Sequence, residues 1–232
     1  MAVTGLPSDS SPGSGRSDAR ESRAYWSAGI APGPPREHRL PSDRQLAELV
    51  AARAVTLRGW FYPHIPRNEP PEGLAWLPDG GVEAITEWGQ YHEVWRMHPS
   101  GLFTHRWRLR EDDTAFSGTL HITAAIYTVV EIFEFCRRLY RDDETVTEVA
   151  IRIGLQGVLG RPASGDKPGD LGRPAIRNEA AHSLALPRAD LAGGILNASV
   201  DTADSLLGQL GFTDITRDSI DETAKRFLSG RI

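Results

Sequence analysis

Tyr91-His92-Glu93-Val94-Trp95-Arg96-Met97-His98-Pro99-Ser100-Gly101-Leu102-Phe103-Thr104-His105-Arg106-Trp107-Arg108 is the stretch that decides the fold. Pro99-Ser100-Gly101 suits a type I turn followed by a glycine in the left-handed region, the usual three-residue hairpin loop. That loop predicts a register with Trp95 facing His105, Met97 facing Phe103 and Glu93 facing Trp107. Side chains alternate faces along a strand, so His92, Val94 and Arg96 oppose Thr104, Arg106 and Arg108, and Arg110 continues the row. One face is aromatic and belongs to a core. The other is lined with arginine and is either wet or bound to something.

Working outward, Leu74–Leu77 and Val82–Trp88 flank Asp79-Gly80-Gly81, a second hairpin signal. Val55–Tyr62 reads as a strand ending at Pro63, and Ser42 with Gln45 matches a capping box opening a helix to Ala54. On the other side, Thr119–Tyr140 is the one long helix. Its apolar stripe is Ile122, Ala125, Ile126, Val129, Ile132, Phe133, Cys136 and Leu139. Tyr127, Glu131, Glu134, Arg138 and Arg141 mark its opposite side, with Glu134 and Arg138 an i,i+4 pair. Val146–Leu159 returns as a strand, and Arg161–Pro174 is a loop by its Gly and Pro content. Ser183–Leu186 reads as a last strand. Helices near Val200–Leu210 and Ile220–Leu228 close the chain, with Ser219 and Glu222 capping the second. These elements predict an α+β fold: a twisted antiparallel sheet packed on one long central helix, with short C-terminal helices.

Residues 1–41 are rich in Ser, Gly, Pro and Arg, and hold six of the sixteen prolines. Such a segment buries too little apolar surface to offset ordering entropy, so it is expected to be a disordered tail. Tyr25 and Trp26 are its exceptions and suit a docking motif. Residues 42–232 are expected to form a single α+β domain, and the apolar share of 40% with six Trp supports a real core. The formal charge of -5 argues against a dedicated nucleic-acid binder, though it leaves room for a local basic patch. The single cysteine, Cys136, excludes an internal disulfide and a multi-cysteine zinc site. No apolar run reaches membrane-span length and the start does not read as a secretory signal, so a cytoplasmic protein without membrane attachment is expected.

Few constellations carry chemistry. His92, His98 and His105 match no zinc spacing, and His105 reads better as a hydrogen-bonded core histidine; no metal and no cofactor are expected. Gly154, Gly157 and Gly160 lack the ending of a nucleotide loop and read as bulges in a strand leaving the sheet. No Gly-x-Ser-x-Gly elbow is present, and Asp112-Asp113 and Asp142-Asp143 sit at element ends as solvated charges. The arginines offer the strongest binding candidates. Arg58, Arg96, Arg106 and Arg108 suit a phosphate or another anion, whereas the aromatics that would stack bases point to the other face. Trp60, Trp95, His105 and Trp107 are expected to form the structural core of the motif.

Leu57-Arg58-Gly59-Trp60-Phe61-Tyr62-Pro63-His64-Ile65, the Glu93–Arg96 and Ser100–His105 blocks, and Leu109-Arg110-Glu111-Asp112 together resemble an accessory domain of bacterial proteins. In those relatives the domain follows a Schlafen-type, AlbA-like domain associated with DNA binding. The helix around Glu131-Ile132-Phe133-Glu134-Phe135 is also similar. This chain has His98-Pro99 where the family has Tyr-Gln, and it lacks the AlbA-like domain. The resemblance implies a bacterial setting of regulation or phage defence and supplies no catalytic residues. The expectation is a non-enzymatic sensing or protein-interaction module that works with a protein partner. The alternative is nucleic-acid or nucleotide-type anion binding through the arginine-lined sheet face. An enzyme centred on His64 and His105 is a third reading.

Overall fold

A computed structural model describes residues 24–40, 43–67, 72–89, 91–114, 116–165 and 171–230. The hairpin that anchors the sequence reading is β4 (Tyr91–Met97) and β5 (Phe103–Arg108) in the numbering used below. Its register pairs Glu93 with Trp107, Trp95 with His105 and Met97 with Phe103, as the turn predicts. Trp95, Met97, Phe103, His105 and Trp107 are all buried, while Arg96 and Arg106 are exposed. Gly101 closes the loop with φ 91°, its amide donating to the His98 carbonyl at 2.9 Å.

The tail reading requires a correction. Tyr25–Gly33 is β1, and it lies in the middle of a seven-stranded antiparallel sheet ordered β10-β7-β1-β5-β4-β3-β2. Here β2 is Glu72–Trp76, β3 Val82–Trp88, β7 Glu148–Gln156 and β10 Glu179–Pro187. Trp26, Ala28 and Ile30 alternate into the core opposite Trp107, His105 and Phe103. Composition hid this strand because six of its nine residues are Ser, Ala, Gly or Pro, and the burial that stabilises it comes from two neighbours distant in sequence. Residues up to 40 are held too: the amides of Arg39 and Leu40 both donate to the Pro99 carbonyl at 2.8 Å. Residues 1–23 lie outside the described residues, as does Ser42 of the expected capping box.

Gly101 is required twice, by its left-handed backbone and by its neighbour, since a Cβ there would lie 2.7 Å from Cγ of Pro32. The Pro32 ring cannot swing aside. Gly101→Ala is therefore expected to destabilise the chain by about 2–3 kcal/mol through backbone strain and overpacking. The check is a lower urea midpoint at unchanged slope; an unmoved midpoint would mean the loop rearranges freely.

Every long helix packs on one side of this sheet. α2 (Ile122–Tyr140) carries the expected apolar stripe inward, between the sheet and α4 (Leu196–Leu210) with α5 (Arg217–Leu228). α1 is Asp43–Arg53 and α3 is the short Arg188–Gly193. The side of α2 expected to face water does not: Tyr127, Glu131 and Glu134 are buried. Tyr127 stacks on Phe227 of α5, rings 4.0 Å apart, and Glu131 is met by Arg58. Glu134 binds Arg138 at 2.9 Å as its spacing predicts, and also Arg137 at 2.7 Å. α2 starts later than expected, because Leu120–His121 forms β6, pairing in parallel with β8 (Pro162–Ser164). β8 pairs in turn with β9 (Leu171–Pro174), so the expected loop contains a small second sheet.

Three further local readings change. Val55 and Tyr62 form an isolated bridge, because Gly59 at φ 82° turns the intervening chain outward. Gly154 pairs regularly with Ser27 and Ala181 without a bulge, and a Cβ there would meet Ser27 Oγ at 2.8 Å. α5 is capped by Thr216, whose side chain accepts from the Ser219 amide, one turn before the expected cap.

Candidate functional site

The arginines expected to act together are split between the two faces of the sheet. Arg96, Arg106 and Arg108 lie on the helix-free face, where Arg152 of β7 joins Arg96 and Arg106 around a shallow hollow of about 450 Å³. Much of their charge is already engaged: Arg96 is bonded to Glu83, and the Arg106 guanidinium lies 3.8 Å from the centre of the Tyr25 ring. Arg58 and Arg110 are on the opposite side. Arg58 reaches from the turned-out loop to α2, and Arg110 leaves the end of β5 through a 3-10 turn (Arg110–Asp113) that aims it inward.

There they line a cleft of about 200 Å³ between the open end of the central hairpin, the loop at residues 58–62 and the first half of α2. Strand alternation places Tyr91, Glu93, His105, Trp107 and Trp26 along its floor. Helical spacing places His121, Ala124, Thr128 and Glu131 along its wall. Phe61 and Trp60 stand at the rim, 49% and 38% exposed. Trp60 is thus a correction: it is no core residue, but a ring covered by Arg110 at 4.5 Å and Arg58 at 5.3 Å. Trp95, His105 and Trp107 do form the core of the motif.

Two buried ion pairs support the cleft. Glu93 accepts from Nε2 of His105 at 2.9 Å, from the His64 amide at 2.9 Å and from the Tyr91 hydroxyl. Burial works to raise its pKa, but the His105 charge and these three donors outweigh it and hold the carboxyl at about 2. His105 presents its other nitrogen to the Tyr62 hydroxyl at 3.3 Å and stacks on Trp107, with centroids 4.0 Å apart. In the second pair, Glu131 takes a forked contact from Nε and Nη2 of Arg58, and Nη2 also reaches Thr128 at 3.1 Å. Burial still wins there and keeps the Glu131 pKa raised, with Arg58 opposing it. Burial likewise raises the Tyr62 and Tyr91 hydroxyls.

His64 contributes only backbone to this arrangement: its amide binds Glu93 and its carbonyl accepts from Trp95 Nε1 at 2.7 Å. Its ring turns away to Glu72 at 3.1 Å and packs edge-on against Trp88. The two histidines of the enzyme reading therefore do not converge. Cys136 is fully buried and burial pushes its thiol up, as expected of a small core hydrophobe. Among the described residues no cluster of three or more His, Cys, Asp or Glu could hold a metal ion, and no helix is long and apolar enough to cross a membrane.

Tyr62, Tyr91, Glu93, Glu111, His121, Thr128 and Glu131 line the cleft and do not stand out from the sequence as binding residues, whereas Arg110 does so only as part of the outer arginine row. One signal was available. Glu93 falls on the aromatic parity of the hairpin, and a carboxylate on a core-facing parity must be paired or functional. Comparison with protein-family models, curated proteins and solved structures returned no match for this chain.

Proposed function

We propose that this chain is a non-enzymatic sensing module, whose cleft binds a compact small molecule and whose state is read by a protein partner. The observation that carries this is the cleft itself: a ring-walled space of about 200 Å³ with a few convergent polar groups, held by two buried ion pairs. Such a concave, mostly apolar space with sparse polar groups is the usual form of a ligand site. Both partners of the Glu93–His105 pair are committed to each other and to Tyr91, Tyr62 and the His64 amide, which suits rigid support better than proton transfer. The family resemblance adds the setting: bacterial cytoplasm, in regulation or phage defence.

A fragment set screened by thermal unfolding tests the reading. A fragment at about 100 times its Kd stabilises the fold by roughly 2.7 kcal/mol, raising the Tm by about 5–10 °C. Ala124→Phe, which puts a ring into the cleft from the helix wall, should abolish that rise. A screen without hits, or hits indifferent to Ala124→Phe, would sink it.

The arginine face supports a second reading, anion or nucleic-acid contact, because Arg96, Arg106 and Arg152 border one hollow. Binding of labelled single- and double-stranded oligonucleotides at two salt concentrations tests it, beside an Arg106→Glu/Arg108→Glu variant. The pairing of Arg96 with Glu83 and of Arg106 with Tyr25 leads us to expect weak binding, with a shallow salt dependence and little change in the variant. Tight, steeply salt-dependent binding lost in the variant would move the function to this face.

A further inference from the structure

The charges around the cleft close in direct pairs, apart from those of Arg110 and Glu111. Glu93 is matched by His105 and Glu131 by Arg58. Arg110 enters no direct ion pair among the described residues: it lies over Trp60 and Tyr91, 4.5 and 5.0 Å from the ring centres, it bonds the Tyr91 hydroxyl, and it shares the more distant charge of Glu131 with Arg58. The neighbouring carboxyl, Glu111, also lines the cleft and also forms no ion pair among the described residues. Burial raises the Glu111 pKa, with its own amide, the Arg58 charge and the His121 amide opposing the shift. A guanidinium set against aromatic faces, with no carboxylate in direct contact among the described residues, is a built receptor for a planar anion.

Given the cleft as the ligand site, on which this inference rests, we infer that its ligand is a compact aromatic or heteroaromatic monocarboxylate. The carboxylate is received by Arg110 and the ring lies against the walls of Tyr62, Trp107 and Phe116. Three observations select this class. Arg58 and Arg110 share the single carboxyl of Glu131, which leaves room for one more negative charge, and a phosphate dianion would bring two beside Glu93 and Glu131. The ring-lined walls call for a flat apolar body. The volume of about 200 Å³ falls below the usual 300–1,000 Å³ of drug-sized sites, so the body is a single ring or a small fused pair. A primary amine would meet Arg110 as a like charge. A purine would have to split its edge between Arg110 and Glu111, and would leave the cation unmatched.

Titration calorimetry on the full chain with benzoate, 4-hydroxybenzoate and indole-3-carboxylate tests this beside the neutral benzamide and indole, with guanine included. The carboxylates should bind and their neutral counterparts should bind far more weakly. Arg110→Gln should weaken the carboxylates by roughly 10–100-fold, the worth of one charged hydrogen-bonded pair, and leave the weak binding of the neutral rings unchanged. That second arm separates lost charge from a collapsed rim, because a collapsed rim would weaken both series alike. Equal affinity for acid and amide, loss of both series in Arg110→Gln, unchanged carboxylate affinity in that variant, or preference for guanine would each overturn the carboxylate class while leaving the cleft a ligand site. Failure of all six probes, with a fragment screen also blank, would overturn the cleft reading as well.

Discussion

Arg58→Met is expected to lower the stability of this chain by about 3–5 kcal/mol at neutral pH, the usual cost of breaking a buried ion pair from one side. The substitution keeps much of the apolar stem against Trp60 but strips the forked donor from Glu131, a fully buried side chain. The stranded carboxylate then takes a proton, so the loss should narrow as pH falls. Glu131 already has a raised pKa, chiefly from burial. A group raised in this way favours the fold at low pH and opposes it as pH rises through the folded value; removing Arg58 extends that region upward. The companion variant, Arg58→Met/Glu131→Leu, replaces both charges by apolar groups of similar size and should recover most of the loss. Urea unfolding of the two variants and wild type measures this. A double variant no more stable than Arg58→Met would mean that the loop at residues 58–62, rather than the stranded charge, carries the effect.

The same pair shows where sequence reading succeeds and where it stops. The hairpin register, the meander from β2 to β5 and the inner stripe of α2 were all legible, because each follows from periodicity or from one turn. Residues within a few positions of each other decide those features. Arg58 and Glu131 are far apart in sequence, and nothing local says that a loop arginine folds across onto a helix. Glu131 was assigned to water because a carboxylate on a helix flank is usually solvated. What buried it was the arrival of the Arg58 loop over the cleft-facing side of α2. β1 was lost for the same reason. Its alternation of Trp26, Ala28 and Ile30 is weak alone, and becomes a central strand only between β5 and β7.

The arginine row is a subtler case. Parity sorted Arg96, Arg106 and Arg108 correctly to the outer face, and extending the alternation one step further placed Arg110 there too. The strand ends at Arg108, however, and the 3-10 turn that follows reverses the direction of Arg110. The cleft owes the guanidinium of Arg110 to that break in pattern. Parity arguments hold only as far as the strand does.

Glu93→Leu should cost about 3–5 kcal/mol at about pH 7, because it strands several buried donors at once. His105 Nε2, the Tyr91 hydroxyl and the His64 amide all lose their acceptor, and the leucine supplies none. The pH dependence has a definite sign. Glu93 titrates near 2 in the folded chain against an ordinary 4.5, so its contribution is fully present above 4.5 and disappears as pH falls through 2. Glu131 and Glu111, both raised by burial, act in the opposite direction, Glu134 and Asp143 are lowered as Glu93 is, and the wild-type curve sums them all. Subtracting the variant's curve from the wild type's brings out Glu93, since the other carboxyls are common to both. One coupling term survives: Glu93 helps to raise the Glu131 pKa, and its removal relieves that repulsion and trims the loss slightly. The difference in unfolding free energy should thus be largest at about pH 7 and shrink steadily toward about pH 3. A difference that stays flat across that range would mean that Glu93 acts by shape alone, and the buried pair with His105 would lose its role as the rigid floor of the cleft.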